Sequence, residues 1–161
     1  NLSTAIYGNV INSTGSIIPL IWDAIKNNYE LALYSENMTR FILFIDQAVD
    51  LIEFALTKDG CNVIPKPISI KIKDLFEIYK EKFGLKYKTS VPRISEKIHE
   101  ILISEEESTR ITMEGHYYLM HYENTADPNI LGGRELSSKN SVVCKNSLMN
   151  LLSKNNYYKP Y

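Results

Sequence analysis

The sequence predicts a mixed fold of the α/β or α+β class. Short runs of strand-forming residues alternate along the chain with segments whose apolar residues recur at helical spacing. No stretch of the chain repeats another. The 161 residues are enough for one domain with a real core and too few for two ordinary domains. We therefore expect a single packed unit in which strands and helices alternate.

The first part of the chain predicts a strand, a polar loop and a helix, followed by two further strands. Residues 5–7 form a short strand that stops at a Gly-Asn turn. Residues 17–26 carry apolar side chains on one helical face, and Pro19 is tolerated because it falls in the first turn. Residues 31–34 and 41–45 are predicted strands because apolar and aromatic residues dominate both.

The middle of the chain predicts two helices separated by two strands. Asp46 stands where a helix N-cap belongs, before the periodic segment AVDLIEFAL, and residues 59–60 (Asp-Gly) close that helix. A short strand at 62–64 precedes a Pro-Lys-Pro turn, and residues 68–71 alternate in polarity as a strand does. The segment DLFEIYKEKF then forms a helix that stops at Gly84.

The remaining predicted elements are short, and turn residues or capping motifs set their limits. They are a strand at 85–88, a helix at 95–101, a capping box of Ser104 with Glu107, a strand at 111–122 around Gly115, a polar surface loop at 123–140 and a terminal helix at 146–154.

Composition and charge exclude several function classes. The formal net charge is −1 and the isoelectric point about 6.4, which argues against nucleic acid as the main partner. No apolar run approaches the roughly 18 residues of a membrane span, so we expect no membrane span and a cytoplasmic location. Cys61 and Cys144 have no metal or redox spacing, and we expect both to be small buried residues in a reducing compartment.

The familiar catalytic and cofactor motifs do not occur in the sequence. It contains no G-x-G-x-x-G, no P-loop, no G-x-S-x-G and no H-E-x-x-H. The three histidines share no ligand spacing with one another or with the cysteines, so we predict no metal site. We also predict no catalytic residue in this chain, whose pattern is that of a binding half.

Three polar features suggest recognition of an anion. The loop YGNVINSTGS, which ends at Ser16, leads into a helix whose first N–H groups suit a phosphate. Arg40 directly precedes an apolar strand, and Arg93 projects from the turn before a predicted helix; guanidinium groups bind diphosphates with paired hydrogen bonds. The simpler alternatives are a plain capped helix start and solvated arginines.

Four motifs, taken in order, resemble one family. They are YGNV-x-x-S-x-GS-x-IP, TRF-x-x-x-x-D, SIKI-x-DL and R-x-x-EKIHE-x-LISEEE, with a weaker echo in ELSSKN. Together they resemble the polysaccharide-biosynthesis branch of the extended short-chain dehydrogenase/reductases, and within it the UDP-N-acetylglucosamine 4,6-dehydratases. The resemblance implies an α/β fold: the C-terminal part of an extended Rossmann-type reductase, made of the last sheet strand and a small mixed α/β substrate lobe.

The resemblance also implies a division of labour. The N-terminal half of such enzymes binds NADP or NAD and carries the catalytic Tyr and Lys, and the C-terminal half closes over the UDP-sugar. Residues 1–16 are then the end of the Rossmann-like sheet and a hinge loop, residues 17–122 the substrate-binding lobe, and residues 123–161 a polar loop and C-terminal helix. Because the chain begins inside this unit and without Met, we expect residues upstream.

The function implied is the UDP-sugar-binding portion of a nucleotide-sugar 4,6-dehydratase, a lyase that acts on UDP-N-acetylglucosamine or a close relative in polysaccharide biosynthesis. The alternatives are a nucleotide-sugar epimerase or 4-keto reductase of the same family, or a catalytically inactive split binding or structural module. The resemblance further implies a homo-oligomer, or a partner chain that supplies the Rossmann half. We expect the chain alone to oligomerise or to be poorly soluble, because its first strand needs sheet neighbours.

Site residues are implied only where this chain matches the motifs. Asn9, Arg40 and Arg93 resemble the amide and the two guanidinium groups that meet the substrate diphosphate. Glu96 and His99 match the same motif as Arg93 and either support that site or contact the ligand. With Ser16 of the opening loop, these residues form the predicted substrate-binding set.

The chain departs from the family pattern at three places. Ile6 and Thr14 stand where relatives usually carry arginine, and residues 94–95 (Ile-Ser) replace a Pro-Gly turn. Loss of basic residues near a diphosphate would weaken its binding. Activity is therefore a separate question from ancestry.

Overall fold

The structure, a computed structural model, describes residues 2–92, 94–123 and 130–159. Its strands are β1 (Ser3–Ala5), β2 (Asn9–Val10), β3 (Glu30–Leu33), β4 (Thr39–Leu43), β5 (Cys61–Pro65), β6 (Ile68–Lys71), β7 (Lys86–Thr89), β8 (Ile101–Ile103), β9 (Ile111–Glu114), β10 (Tyr117–His121) and β11 (Leu136–Ser137). Its helices are α1 (Ile17–Asn27), α2 (Ile45–Leu56), α3 (Ile72–Phe83) and α4 (Lys145–Lys154), with a 3₁₀ turn at Glu107–Arg110. Strands and helices alternate, which confirms the predicted α/β fold class.

Two sheets carry most of the architecture. In one, the order is β1-β5-β10-β9, with β1 parallel to β5 and the remaining pairs antiparallel. In the other, the order is β2-β4-β6, with β2 parallel to β4 and β6 antiparallel to it. Two-stranded pairs, β3 with β7 and β8 with β11, flank these sheets. β1 therefore lies beside β5, a strand more than fifty residues later in the chain. The domain limits predicted at residues 16 and 122 stay predictions.

The helices follow the predicted apolar periodicity. α1 buries Ile18, Ile21 and Ala24 at helical spacing and ends at Asn28, which adopts the left-handed conformation. α3 ends at Gly84 with φ of 73°, a C-cap conformation that glycine adopts without a Cβ penalty. Apolar residues from α1, α3 and α4 share one core with β3, β4 and β6. This core supports the sheet from which the cavity described below is built.

The predicted N-cap of the second helix is wrong by two residues. α2 begins after Phe44, whose backbone N–H donates to the Gln47 side chain at 3.0 Å. Asp46 instead lies inside the first turn, where its negative charge interacts favourably with the helix dipole although Asp46 is not the N-cap. Residue preference favours Asp46 as the N-cap, and its side chain would then accept the N–H of residue 48 or 49. In the structure the Gln47 side chain instead accepts the N–H of Phe44, which stands at the N-cap.

The predicted helix over 95–101 does not form. Tertiary hydrogen bonds take the backbone groups that a helix would need: the Thr39 N–H donates to the Ile98 carbonyl at 2.9 Å, and the Glu100 N–H donates to the Ser138 hydroxyl at 2.8 Å. The segment therefore runs as bends and turns alongside β4 and enters β8. Here long-range pairing overrides local helix propensity.

Two other predictions for the second half of the chain are also refined. The long strand over 111–122 is a hairpin of β9 and β10 that turns at Gly115. The loop over 123–140 is not all surface, because Leu136 is 8% exposed, Ser137 is 2% exposed and Ser138 is fully buried. Residues 124–129 of that loop lie outside the described residues. The capping box of Ser104 with Glu107 forms as predicted.

The two cysteines differ, and the expectation that both are buried is wrong for one. Cys61 is buried under α2, and its burial raises the pKa of its thiol. Cys144 is exposed, and a hydrogen bond with the Ser147 hydroxyl lowers its pKa. Both thiols are free. Across the three described ranges, no helix has the length and apolarity that crossing a bilayer requires.

One flank of α2 exposes a stripe of large apolar side chains. Ile45, Val49, Ile52 and Leu56 lie on this flank at helical spacing, and each is between 46% and 80% exposed. On the opposite flank, Phe54 stacks on Tyr117 of β10. Since β10 and β1 lie on opposite sides of β5, the stripe is on the flank of α2 toward β1, which is an edge strand of this sheet among the described residues.

We expect the 161-residue chain to self-associate through this stripe, because large exposed apolar patches and free strand edges both promote association. Ile52→Glu should shift the chain toward monomer in size-exclusion chromatography with light scattering. Thr57→Glu adds the same charge at the end of α2 outside the stripe and serves as the control. A wild-type chain that is monomeric at every concentration tested would contradict the prediction.

Candidate functional site

A cavity of about 270 Å³ opens where β2, β4 and the start of α1 meet. One part of its wall is polar and is formed by Asn9, Ser16, Arg40 and Glu96. The rest is largely apolar and includes Ile11, Ile17, Tyr34, Met38, Ile42 and Phe76. Four of the six predicted site residues therefore line one cavity, although they come from three separate parts of the chain.

Arg40 is the cationic centre of the polar wall. Its side chain is only 16% exposed, and its guanidinium group contacts acidic and carbonyl oxygens on several sides. It forms an ion pair with Glu96, and its Nε lies 3.7 Å from the Glu100 carboxylate. Its Nη1 also donates to the carbonyls of Thr39, at 2.8 Å, and Ile98, at 3.4 Å. The guanidinium is thus held at the cavity wall and is not the solvated arginine of the simpler alternative.

The charge balance around Arg40 is negative in this state, since one guanidinium faces the two carboxylates of Glu96 and Glu100. An anionic ligand must compete with Glu96 for the guanidinium. Glu96 contacts the guanidinium through Nη2 alone, so exchange for another oxyanion replaces one charged hydrogen bond. Glu96 belongs to the irregular segment before β8, where no helix hydrogen bonds hold it.

Asn9 is held beside Arg40 by the pairing of β2 with β4. Its backbone is in register with Ile42, and its Nδ2 donates to Glu100 Oε1 at 3.0 Å and to the Phe41 carbonyl at 3.3 Å. Gly8, just before it, has no Cβ; an ideal Cβ there would lie 2.5 Å from the Phe41 Cβ. The Gly-Asn pair therefore allows the close approach of two strands that brings Asn9 to the polar wall.

Ser16 stands at the start of α1 and faces the same cavity. It is the N-cap residue, yet its side chain makes no capping hydrogen bond. Its Oγ is buried and has no hydrogen-bond partner within the described part of the chain. Because the first N–H groups of a helix lack helical partners, this end of α1 offers donors and a favourable dipole to an anion.

His99 does not line the cavity but supports it from behind. Its Nδ1 shares a hydrogen bond of 2.8 Å with the Thr39 hydroxyl, directly before Arg40. The sequence left two roles open for His99, support of the site or contact with the ligand, and this hydrogen bond agrees with the supporting role. The sixth predicted residue, Arg93, lies outside the described residues.

The sequence-based set missed two residues that the geometry brings to the site. Glu100 bonds with the Asn9 amide, and its Oε2 also accepts the Phe41 N–H at 2.9 Å. Its signal was present, since it ends the EKIHE motif that contributed Glu96 and His99. Ser138 is fully buried against Thr39 and Glu100, and its weaker signal is the ELSSKN echo.

The residues that line the cavity offer several groups that can bind a ligand. Among residues 2–92, 94–123 and 130–159, no cluster of His, Cys, Asp and Glu could hold a metal ion. The polar wall offers a guanidinium, a side-chain amide, a hydroxyl and a helix start, which together suit a phosphate or diphosphate. The apolar wall offers surface for a flat or aliphatic group.

The sequence of this chain is similar to those of known proteins. Residues 1–122 match the family model described as polysaccharide biosynthesis protein. The chain is 41% identical over 116 residues to an uncharacterized membrane protein of Methanocaldococcus jannaschii and 35% identical over 116 residues to a UDP-glucose 4-epimerase of Rickettsia akari. These alignments cover 65% and 70% of this chain and 35% and 34% of the two relatives, so the chain spans about a third of their length.

Among solved structures, the X-ray structure of Pen from Bacillus thuringiensis is similar to this chain. The TM-score is 0.83 and the sequence identity 25%, and the match covers 96% of this chain and 50% of Pen. The similarity therefore extends beyond residue 122, where the family match ends, into the C-terminal segment that contains Ser138.

Proposed function

The chain belongs to the polysaccharide biosynthesis protein family, and from this premise we propose that its cavity binds the nucleoside diphosphate part of a nucleotide sugar. The chain would then be the substrate-binding portion of an enzyme that modifies nucleotide sugars. The observation that carries the proposal is the meeting of Asn9, Ser16 and Arg40 on one cavity wall opposite an apolar wall.

Each wall of the cavity would contact a different part of the ligand: the polar wall the phosphates and the apolar wall the base. Arg40 would hold phosphate oxygens, with the start of α1 as a neutral donor. The Asn9 amide would be a second neutral donor, its longer bond to the Phe41 carbonyl being exchanged for the ligand. Tyr34 and Phe76 on the apolar wall provide aromatic surface for the base. The volume of about 270 Å³ is close to the lower limit of the roughly 300–1,000 Å³ found for small-molecule pockets, so the sugar would extend outside it.

The cavity does not fit a dinucleotide cofactor. It is too small to enclose one, and the loop before α1 reads GNVINSTGS, which lacks the Gly-rich turn that dinucleotide sites use. NADP or NAD, implied by the resemblance, would be bound mainly by the part of the relatives that this chain does not span. We therefore assign no step through a nicotinamide cofactor to these residues, which bind and orient the substrate.

We favour a UDP-N-acetylhexosamine 4,6-dehydratase over other nucleotide-sugar reactions because four motifs occur in that family's order. The second candidate is a 4-epimerase, which the Rickettsia akari relative's name supports. The two reactions give different products from one substrate, a 4-keto-6-deoxy sugar or the C4 epimer. NMR analysis of the full-length protein incubated with UDP-N-acetylglucosamine distinguishes them.

Binding is tested by isothermal titration calorimetry of the protein with UDP, uridine and UDP-N-acetylglucosamine. We expect UDP to bind at least about tenfold more tightly than uridine, because only UDP presents phosphates to Arg40 and charged hydrogen bonds contribute roughly 1.5–3 kcal/mol each. ADP serves as the control for the base. Equal affinity for UDP and uridine would contradict the proposed orientation.

A further inference from the structure

A short C-terminal segment reaches the back of the polar wall. Leu136, Ser137 and Ser138 lie outside residues 1–122, to which the family model matches, yet all three are buried. β11 pairs with β8, and the next residue, Ser138, continues into the space between β4 and the irregular segment before β8. A polar serine that is fully buried at this position requires partners.

The partners of Ser138 are Glu100, at the end of the irregular segment before β8, and Thr39 of β4. Its backbone N–H donates to the Glu100 carbonyl at 2.8 Å, and its hydroxyl accepts the Glu100 N–H at 2.8 Å. The same hydroxyl lies 2.7 Å from the Thr39 hydroxyl, which bonds with His99. Both backbone groups of Glu100 are therefore fixed by this one residue.

Glu100 in turn contacts Asn9 and Arg40, two residues of the cavity wall. Its Oε1 accepts a hydrogen bond from the Asn9 amide, and its Oε2 accepts one from the Phe41 N–H. The same Oε1 lies 3.7 Å from Arg40 Nε. A shift of Glu100 would break the shorter of the two hydrogen bonds of the Asn9 amide and one contact of the guanidinium. Ser138 itself does not line the cavity.

We propose that Ser138 is a positioning residue of the ligand site, acting through Glu100 on Asn9 and Arg40. This inference rests on the proposed function, because the affected site is the proposed nucleotide-sugar site. A serine that only filled the core would affect stability without a selective effect on Asn9, Arg40 or the ligand.

The first test compares Ser138→Ala with Ser137→Ala by calorimetry with UDP. Ser137 lies one residue earlier and is 2% exposed, and its hydroxyl accepts the Lys139 N–H at 3.5 Å, which makes it a matched control. We expect Ser138→Ala to weaken UDP binding about fivefold to tenfold, the loss of one hydrogen bond to the site, and Ser137→Ala to change it less than about twofold. Equal effects of the two variants on affinity would overturn the proposal.

A double-mutant cycle tests the route through Glu100. In a Glu100→Gln background, Ser138→Ala should weaken UDP binding less than about twofold further, because the group through which it acts is already altered. Effects that multiply in the double variant would show that Ser138 acts independently. If Ser138→Ala does not fold, as judged by circular dichroism, Ser138→Cys takes its place in both tests.

Amide hydrogen exchange separates this inference from the proposed function, since it needs no ligand. The Phe41 N–H donates to Glu100, so Ser138→Ala should speed its exchange about fivefold or more relative to the Leu119 N–H of β10, and Ser137→Ala should not. If the wild-type protein does not bind UDP but Phe41 responds in this way, the proposed function fails and the positioning role stands. If Phe41 does not respond selectively, the positioning role fails.

Discussion

Replacing Arg40 by alanine is expected to weaken UDP binding about 10-fold to 100-fold. Arg40 is the cationic residue among those that line the described cavity, and its guanidinium would supply the charged hydrogen bonds to the phosphates. Loss of one such bond, at roughly 1.5–3 kcal/mol, accounts for a change of this size. Removal of the cation also leaves the Glu96 and Glu100 carboxylates facing an incoming anion, which acts in the same direction.

Calorimetry with UDP and with uridine measures this effect. The loss should be confined to UDP, because uridine carries no phosphate. Arg40→Lys keeps the charge without the paired geometry and should fall between the wild type and Arg40→Ala. Arg110→Ala removes an arginine on the 3₁₀ turn, outside the cavity lining, and should leave both affinities unchanged. An Arg40→Ala protein that binds UDP as tightly as the wild type would exclude a phosphate at this position.

The motifs brought together residues that share one cavity, whereas local patterns mispredicted the segment that carries one of them. Asn9, Arg40 and Glu96 belong to the motifs and meet at one cavity, whereas the helix predicted around Glu96 does not form. Local periodicity reports only what a segment would do alone. In this segment the ion pair with Arg40 and the bond between Thr39 and Ile98 join residues more than fifty positions apart, and no local pattern encodes them.

The C-terminal loop illustrates the same limit from another direction. Its polar composition predicts a surface loop, and composition gives no sign that Ser138 is fully buried. A buried serine is stable there because Thr39 and Glu100 satisfy its hydroxyl and its N–H. Which polar residues of a loop are buried depends on partners elsewhere in the fold, and so becomes visible only in the structure.

The sequence predicts a helix or strand well where the apolar pattern of that segment determines its buried face and a residue next to it determines its end. α3 ends at Gly84 as expected, and α1 buries the face that its spacing indicates. The start of α2 was predicted less well, because Asp46 and Phe44 with Gln47 are competing ways of satisfying the same helix end. The apolar pattern thus fixes which face is buried, while side-chain hydrogen bonds decide where the helix begins.

Gly8→Ala is expected to destabilise the fold by about 1–3 kcal/mol and to weaken UDP binding at the same time. An added Cβ would lie 2.5 Å from the Phe41 Cβ and 3.0 Å from its carbonyl oxygen, which is too close for either atom. Neither atom is the free end of a flexible side chain, so the relief must come from separation of β2 and β4, with a cost typical of overpacking. That separation moves Asn9 away from Glu100 and the cavity.

Chemical denaturation and calorimetry with UDP measure the two effects on one protein. Gly60→Ala is the matched control: Gly60 has φ of 67° and open space around its Cβ position, so its substitution costs about 1 kcal/mol of backbone strain. Gly60→Ala should therefore lower stability without altering UDP affinity, because Gly60 does not line the cavity and its backbone hydrogen bonds join it to Leu2 and Tyr122. If Gly8→Ala unfolds at the same denaturant concentration as the wild type, the close approach of β2 to β4 is not required by the fold. If it is destabilised but binds UDP normally, Asn9 does not depend on that approach for its place in the site.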